Sequence, residues 1–497
     1  MELTKSNIRL IFGLKLKQLR VSRNLSLSEL AHMSSVSVSY LNEIESGKKY
    51  PKADKIIALA EALGVSYDNI VSIKLSKNLA PIGELLDSNI LSQLPIDHYG
   101  IDINKLIALL ANAPIQLNAL VSTIIEIARS SEMSRNIFSR TALRIYKEFN
   151  ENYFADLEEA VENFKKENKI LKNEIPTSKM LANILSTKFG YKIDTTGFNL
   201  YPELSQIRAV VKKQEEWTLY TNSVLSNSQF SFIVGKEIAY NYLDITDRSY
   251  IYSSSNLESF DQLLNNLRAS YYATGLQIPK DLIIEDFKTF LALEKWDKKF
   301  LLNLLKKYNV TPEILLQRIS SIAPKYFNIN KFFFLRFNYN LVSNEFELSK
   351  ELHLNTHQNP GGYQSNEHYC RRWISIGVIE ELKKSKNKSI DQSVVAIQKS
   401  KFINSNDEYL SISIAKPSRI KPDTYSSVTL GFLIDNDLLK KVNMLNDTKI
   451  KSREVNDTCE NCGVLDCKER VSEPHSLENK RVKENIKSAI KELTATK

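Results

Sequence analysis

The N-terminal fold is decided by residues 25–48, whose sequence is LSLSELAHMSSVSVSYLNEIESGK. Ser26 and Glu29 have the spacing of a capping box, which predicts that a helix begins at this point. Ser37 is placed to cap the next helix, which we expect to end near Gly47. The core-facing residues of the two helices are Leu30, Ala31, Leu41 and Ile44. The pattern therefore predicts two short helices joined by a tight turn.

Apolar residues on both sides of this stretch extend it to a bundle of five helices. The residues that carry the pattern are Phe12, Leu16 and Leu19 in a helix before it, and Ile56, Leu59, Ala60 and Leu63 in a helix after it. Residues 68–71 can hold a fifth helix. We therefore expect the first domain to span residues 8–73.

Residues 8–73 resemble the Cro/phage-repressor (XRE) helix-turn-helix family. The matching positions are Leu25-Ser26, Glu29-Leu30-Ala31, Val36-Ser37, Tyr40-Leu41, Ile44-Glu45, Gly47-Lys48 and residues 59–65. The resemblance implies that the helix from Ser37 to Glu45 enters the major groove of double-stranded DNA. The residues that it implies at or beside base edges are Ser37, Val38, Ser39, Asn42 and Glu43. Those that we expect at phosphate groups are Lys17, Lys48 and Lys49.

The sequence departs from this family pattern at two positions. Leu27 stands where the family usually has a glutamine that meets phosphate, and Ser35 stands where its turn usually has a glycine. Left-handed backbone costs more at serine than at glycine. Arg20 and Glu45, by contrast, match a family pair that ties helix 1 to helix 3. Because one such domain covers only a half-site, we expect a homodimer. The alternative is a helical bundle that binds only protein.

The composition of the whole chain is that of a soluble protein with three or four domains. Its 497 residues are 42% hydrophobic and 25% charged, and the net charge of +9 favours a polyanionic partner. Residues 1–9 are too polar for a signal peptide. The most apolar stretch, residues 106–128, is interrupted by Pro114 and Glu126, so we predict helices there and no membrane span. We expect a cytoplasmic protein.

Residues 74–172 are predicted to form a helical linker or dimerisation region. A run from Arg140 to Leu171 carries apolar residues near a 3–4 spacing, with charged residues on the outer face. The pattern fits a dimerisation helix and fits equally an amphipathic helix that docks on its own domain.

Residues 173–325 contain a segment, residues 229–243, that resembles the active-site helix of the ImmA/IrrE metallopeptidase-like family. A zincin needs two histidines four positions apart, with a glutamate between them as general base. Lys236 and Tyr240 stand at the histidine positions, and only Glu237 is kept. We therefore predict a degenerate zincin-like domain that binds no metal at this helix, and a protein that is not an enzyme.

Residues 326–475 change to a strand-rich pattern. The segments rich in β-branched and aromatic residues are 332–339, 393–398, 409–415 and 428–434. They predict an α/β sensor-like domain, followed by a basic tail at residues 476–497. The fold class is therefore multidomain, mainly α with an α+β C-terminal part.

The four cysteines of the chain lie in its last third. Cys459, Cys462 and Cys467 fall within nine positions, a spacing that suits a soft metal ion. The candidates for a fourth ligand are Cys370, His368 and His475. Zinc is the first choice. An iron–sulfur cluster is the alternative, because a cysteine triplet with a distant fourth cysteine also suits four-iron clusters. Reduced thiols without a metal are the remaining interpretation.

The C-terminal part resembles the short-chain fatty acyl regulators. The matching residues are Cys370-Arg371-Arg372-Trp373, Cys459, Cys462, Cys467, Arg470 and Pro474, and Arg371 departs from the family's usual proline. The resemblance implies an acyl-CoA-type effector. Arg371, Arg372, Trp373 and Lys350 can supply cations and a stacking surface for it. An internal salt bridge is the alternative for the arginines.

These patterns together predict a DNA-binding transcriptional regulator that responds to a metabolite of carbon or fatty-acid use. One alternative is a phage- or antitoxin-type regulator controlled by a protein partner. Another is a regulatory metalloprotease, against which Lys236 and Tyr240 argue.

Overall fold

The structure is a computed structural model. It describes residues 5–72, 135–213, 215–252, 259–354, 368–385, 389–403, 405, 407–464 and 466–495. The chain divides into two compact units, Met1–Tyr146 with Glu258–Leu263 and Lys147–Leu257 with Leu264–Lys497. The helices predicted between residues 106 and 128 lie outside the described residues. Within the described ranges, no helix is both long enough and apolar enough to cross a membrane.

The five helices predicted for the N-terminal bundle are present within residues 5–72. They are α1 (Lys5–Ser22), α2 (Leu27–Ser34), α3 (Val38–Glu45), α4 (Ala53–Ala62) and α5 (Tyr67–Val71). Their shared core consists of Phe12, Leu16, Leu30, Val36, Leu41, Ile44, Ile56, Leu59, Ala60, Leu63 and Ile70. The apolar spacing therefore identified the buried face of each long helix correctly.

The serine caps of α2 and α3 lie where the sequence predicted them. The Ser26 hydroxyl accepts a hydrogen bond from the Glu29 amide at 3.2 Å, and the Glu29 carboxylate accepts one from the Ser26 amide at 2.7 Å. The Ser37 hydroxyl accepts from the Tyr40 amide at 3.2 Å. Between the helices, Ser35 has a φ of 51°, so this serine carries the left-handed strain that a glycine would avoid.

Helix α1 meets the C-terminal end of α3 at a glycine and at an ion pair. A Cβ atom on Gly13 would lie only 2.2 Å from the carbonyl oxygen of Ile44, so the two backbones are in direct contact there. Farther along α1, Arg20 donates two hydrogen bonds to the Glu45 carboxylate, at 2.7 and 2.8 Å. Both side chains are largely buried. The predicted tie between helix 1 and helix 3 is confirmed, and it fixes the orientation of α3.

The helical run predicted from Arg140 to Leu171 is two helices rather than one. They are α6 (Arg135–Phe149) and α7 (Ala155–Glu167). The side chains of Leu157 and Phe164 in α7 are buried in the second unit, whereas Leu171 lies beyond the helix and is exposed. The pattern missed the break because apolar residues continue through the turn. Since its apolar face is covered within the same unit, α7 is an amphipathic helix that docks on its own unit.

The second unit continues with a small mixed sheet and its helices. They are α8 (Ser178–Phe189), β1 (Tyr191–Asp194), β2 (Ala209–Lys213), β3 (Trp217–Thr221) and α9 (Asn227–Tyr242). Strand β3 lies in the middle, parallel to β1 and antiparallel to β2. The segment compared with a zincin helix is therefore helical, as expected, and it forms most of α9.

Four helices lead from α9 to a larger sheet. They are α10 (Phe260–Gln277), α11 (Lys280–Leu291), α12 (Lys298–Tyr308) and α13 (Pro312–Phe327). The elements that follow are β4 (Phe332–Asn340), β5 (Phe346–His353), α14 (Ile374–Lys384), β6 (Val394–Phe402), β7 (Glu408–Pro417), β8 (Thr424–Leu433), α15 (Asn436–Lys441), β9 (Ser452–Val455) and α16 (His475–Ala495). The strand order is β5-β4-β8-β7-β6-β9, and only β6 and β9 are parallel neighbours.

Both faces of this sheet are covered by helices. On β4, Phe332 and Phe334 join the core formed with α11, α12 and α13. The alternating residues Phe333 and Leu335 join the core formed with α14. The four predicted strands correspond to β4, β6, β7 and β8. Strands β5 and β9 were not predicted, because they are edge strands with charged residues and little apolar alternation.

We predict that Gly13→Ala loosens the contact between α1 and α3. The added methyl group overlaps the Ile44 carbonyl, and overpacking of this kind costs about 1–3 kcal/mol. Hydrogen-exchange mass spectrometry of the full chain should show roughly ten- to hundredfold faster exchange in α3. Gly377→Ala is the matched control, because a methyl group there meets no atom within 4 Å. Equal exchange in α3 for the two variants would contradict the packing described above.

Candidate nucleic-acid interface

The outer face of α3 presents the residues predicted to read bases. Ser37, Val38, Ser39 and Asn42 are exposed, and Glu43 is partly exposed. Val38 keeps 44% of its surface accessible although it is apolar. The opposite face of α3, with Leu41 and Ile44, is buried in the bundle. The helix therefore offers hydroxyl, amide, carboxylate and methyl groups on one accessible side.

Two lysines lie directly after α3. Lys48 and Lys49 are exposed, and both of their amides donate to the carbonyl oxygen of Glu43, at 2.9 and 3.2 Å. The Lys49 ammonium also pairs with the Glu43 carboxylate at 2.7 Å, a contact that the sequence did not predict. This hydrogen bond raises the pKa of Lys49. The third predicted phosphate contact, Lys17, is half-buried on α1.

The geometry of this surface is suited to a double-stranded nucleic acid, which has a groove between two negatively charged backbones. Serine and asparagine side chains can bond to the edges of base pairs, and a valine methyl can contact the methyl group of thymine. Lysines beside the helix can bind phosphates without reading sequence. Because Glu43 and Lys49 are both solvent-accessible, their ion pair is weak and can open at little cost.

The four cysteines line one cavity, although Cys370 is far from the others in sequence. The cavity is also lined by Arg371, Arg372, Ile403, Glu454, Asn456, Glu469 and Arg470. Tyr369 forms a β-bridge with Thr458, which brings Cys370 to the cysteine loop. All four cysteines are free thiols, and burial raises the pKa of Cys370. As the side chains stand, no three Cys, His, Asp or Glu side chains among the described residues could hold a metal ion.

Arg470 organises the main chain of the cysteine loop. Its guanidinium donates to the carbonyl oxygens of Cys459 and Cys462, both at 3.1 Å, and to that of Val464 at 2.6 Å. The same group donates to the carbonyl oxygen of Ser472 at 3.2 Å. Sequence spacing gave no sign of this role, which follows from the curvature of the loop around one arginine.

Three of the four residues proposed for an effector, Arg371, Arg372 and Trp373, are divided between the core and this cavity. The Trp373 ring is 4% exposed, and its indole N–H donates to the carbonyl oxygen of Asn456 at 2.7 Å. Arg371 and Arg372 line the cavity with the cysteines, and the Arg371 guanidinium lies 4.5 Å from the centre of the Phe346 ring. The indole is therefore part of the packing and offers no open stacking surface as it stands.

The polar residues of α9 form a buried ionic network. Glu237 is fully buried, and its carboxylate pairs with Arg248 at 2.8 Å and accepts a hydrogen bond from Tyr252. Lys236 is also buried and donates to the side-chain oxygen of Asn266. The Arg248 guanidinium lies 4.3 Å from the centre of the Tyr240 ring. Arg248 and Tyr252 therefore occupy the carboxylate that a zincin would use as its base.

The comparisons with known proteins identify the N-terminal domain. A Helix-turn-helix family model, HTH_3, matches residues 16–70. The control protein C.BamHI of Bacillus amyloliquefaciens is 39% identical over 61 residues, which are 12% of this chain and 75% of that protein. The HTH-type transcriptional repressor RghR of Bacillus subtilis (strain 168) is 41% identical over 61 residues, 12% of this chain and 45% of that protein. The chain belongs to the helix-turn-helix family.

A solved structure of a Mycobacterium tuberculosis transcriptional regulator is similar over a longer range. The similarity covers 66% of this chain and 92% of that chain, with 14% sequence identity and a TM-score of 0.45. The domain boundaries drawn from the sequence, and the resemblances stated for residues 173–475, stay predictions.

We predict that Lys236→Met changes how stability depends on pH. Burial lowers the pKa of Lys236 to about 7, below its value in the unfolded chain. Between these two values the unfolded chain holds one more proton, so the free energy of unfolding rises with pH by up to about 1.4 kcal/mol per unit. Urea titrations between about pH 7 and pH 10 should show that the variant loses this rise.

Lys212→Met is the control, because it removes an exposed lysine from the end of β2. A pH dependence that is the same in both variants would show that the Lys236 ammonium is not desolvated in the folded protein.

Proposed function

We propose that the protein is a sequence-specific, DNA-binding transcriptional regulator. The observation that carries the proposal is the exposed polar face of α3 beside Lys48 and Lys49, on a bundle of the helix-turn-helix family. Two relatives of this domain are named a control protein and a transcriptional repressor. This support favours a regulator over a bundle that binds only protein.

The proposed mechanism places α3 in the major groove of the duplex. Ser39 and Asn42 bond to base edges, and Val38 contacts a thymine methyl group. Lys48 and Lys49 bind phosphates on the flanking backbone, and Lys49 exchanges the Glu43 carboxylate for a phosphate oxygen. The Glu43 carboxylate, which then remains in the groove, accepts a hydrogen bond from the amino group of a cytosine or repels a phosphate. Glu43 therefore contributes to specificity.

We further propose that the protein acts as a homodimer. One domain of this size contacts a single half-site, and two domains related by a two-fold axis read a palindromic operator. The operator would then have half-sites about one helical turn apart, or a multiple of that distance.

We predict that the double variant Lys48→Glu, Lys49→Glu loses affinity for DNA. Both side chains are exposed, so the bundle should remain folded, while two phosphate contacts become repulsive. Fluorescence anisotropy with a random-sequence duplex at low salt should show at least roughly tenfold weaker binding. The slope of log affinity against log salt concentration should fall by about 2.

The matched control is Lys212→Glu, Lys213→Glu, which makes the same change in charge on exposed residues of β2. If both double variants bind the duplex as the unaltered protein does, the proposed interface is wrong. If both weaken binding equally, the effect is one of net charge alone.

We also propose that the cysteine cavity holds a metal centre. Its support is the convergence of Cys370 with the three clustered cysteines on one cavity. Their thiolates would be the ligands, and their side chains would have to turn towards one another to bind zinc or an iron–sulfur cluster. Arg470 would hold the main chain of the loop in place during this rearrangement.

We predict that anaerobically purified protein contains zinc or iron in a fixed ratio to the chain. Cys370→Ser should lower this ratio, whereas His368→Gln and His475→Gln should leave it unchanged, since His368 pairs with Glu460 and His475 is exposed. Elemental analysis gives the ratio, and a visible absorption band distinguishes an iron–sulfur cluster from zinc. Metal-free protein with normal DNA affinity would contradict a metal centre without affecting the proposed regulator.

The second unit, we propose, receives the regulatory signal and is not a peptidase. Lys236 occupies the place of a metal ligand in α9, and Glu237 is held by Arg248. An acyl-CoA-type metabolite is the first candidate signal, and a protein partner is the second. The signal would shift an equilibrium between forms that bind DNA and forms that do not.

A further inference from the structure

One face of the large sheet changes along β4 from apolar residues to a pair of cations. Along β4, Phe332 and Phe334 are buried beneath α13, and the next residue on this face is Arg336. Its cross-strand neighbour is Lys350 on β5. Because these positions face each other across two strands, the two positive charges repel unless an anion lies between them.

The anion that lies there in the protein is Glu313, in the first turn of α13. Its carboxylate pairs with Lys350 at 2.6 Å and with Arg336 at 3.2 Å. Burial alone would raise the pKa of Glu313, but Arg336 and Lys350 lower it well below its usual range. The single negative charge of Glu313 therefore pairs with two cations, Arg336 and Lys350, and one positive charge is left uncompensated.

Two further cations approach this group from other elements. The pKa of Arg208, the residue before β2, is lowered because surrounding protein partly desolvates its guanidinium and because Arg336 is nearby. Burial and the nearby Lys350 lower the pKa of Lys147, at the end of α6, to about 8. Among the described residues, no carboxylate forms an ion pair with Arg208 or Lys147. We call Arg208, Arg336, Lys350 and Lys147 the cation cluster.

The cation cluster is short of negative charge. Glu313 is the carboxylate bonded to it, and Glu148, beside Lys147, is the other that acts on it. Glu148 also accepts a hydrogen bond from the His353 amide at 3.3 Å. Glu237 is paired with Arg248. Among the described residues, four cations thus face two carboxylates, a balance that a bound anion would correct.

The cluster also remains open to solvent. The Lys350 side chain is 51% exposed, and the side chains of Arg336 and Glu313 keep about a fifth of their surface accessible. Arg208 is exposed as well. A ligand can therefore reach these cations without unfolding the unit.

We propose that the cation cluster is a binding site for a small metabolite that carries at least two phosphate groups. The phosphates would bridge Arg208, Arg336 and Lys350, and Arg336 would change partners from Glu313 to the ligand. Guanidinium groups bind phosphate oxygens in a bidentate manner, which suits Arg208 and Arg336 to this role. Ligand binding is thereby coupled to the position of α13, which carries Glu313.

The surroundings of the cluster favour a small ligand over a duplex. The cations come from the residue before β2, from β4 and β5, and from α6, and nearby protein desolvates Arg208 and Lys147 enough to lower their pKa values. A rigid duplex needs an open surface for its backbone, whereas a flexible diphosphate can enter between these elements. The inference rests on the proposed sensory role of the second unit and is independent of the α3 interface.

The test is calorimetric titration of the full chain with coenzyme A and, separately, with inorganic pyrophosphate, at low salt. Arg208→Gln removes an exposed cation that no carboxylate pairs with among the described residues, so folding should be unaffected. We expect this variant to bind at least about tenfold more weakly, the effect of one lost charged hydrogen bond. Lys212→Gln, which removes an exposed lysine from the adjacent strand β2, should bind like the unaltered protein. Glu313→Gln should bind more tightly, because Arg336 and Lys350 are then released.

The two probes distinguish the source of the phosphates. Tighter binding of coenzyme A indicates a nucleotide-linked metabolite, and equal binding indicates recognition of the diphosphate alone. The proposal is overturned if neither probe binds up to about 5 mM, or if Arg208→Gln and Lys212→Gln bind alike. The proposal is also overturned if Arg208→Gln leaves binding of both probes unchanged and instead weakens duplex binding, as measured by fluorescence anisotropy. If the same preparation still binds the duplex with normal affinity, failure of the phosphate-site proposal leaves the proposed DNA-binding function unaffected.

Discussion

The contact between α1 and α3 is the constraint on which the rest of the N-terminal unit depends. Gly13 allows the two backbones to touch, and the ion pair between Arg20 and Glu45 fixes their angle. With its inner face held in this way, α3 has only one side left for solvent, the side with Ser39 and Asn42. The same packing that stabilises the bundle therefore presents the proposed reading surface.

Short-range sequence patterns were sufficient to predict the five helices within residues 5–72. Ser26 and Ser37 mark helix starts through hydrogen bonds that span three residues, and the apolar spacing marks the buried faces. The pairing of Glu43 with Lys49 was missed, because its geometry depends on how the chain turns after α3. Strand β5 was missed for a related reason: its charged residue Lys350 pairs with Glu313, which lies far away in sequence.

The packing of the second unit depends on ion pairs between separate segments of the chain, which the spacing of apolar residues does not predict. Buried pairs such as Glu158 with Arg318, and Glu237 with Arg248, join segments that no periodicity connects. The cysteines show the same limit. Spacing identified Cys459 and Cys462 as a pair, but only the bridge between Tyr369 and Thr458 explains why Cys370 lines the same cavity. Sequence patterns identified the cysteines as candidate ligands, but only the tertiary contacts show which residues surround them.

A lysine-acetylation footprint of the full chain, with and without duplex DNA, tests whether α3 lies in the major groove. DNA should slow acetylation of Lys48 and Lys49 strongly, because their ammonium groups bind phosphate, while Lys212 and Lys213 react as before. Unchanged acetylation of Lys48 and Lys49 on a saturated duplex would contradict this placement, since α3 could not then lie in the groove with these lysines on the backbone.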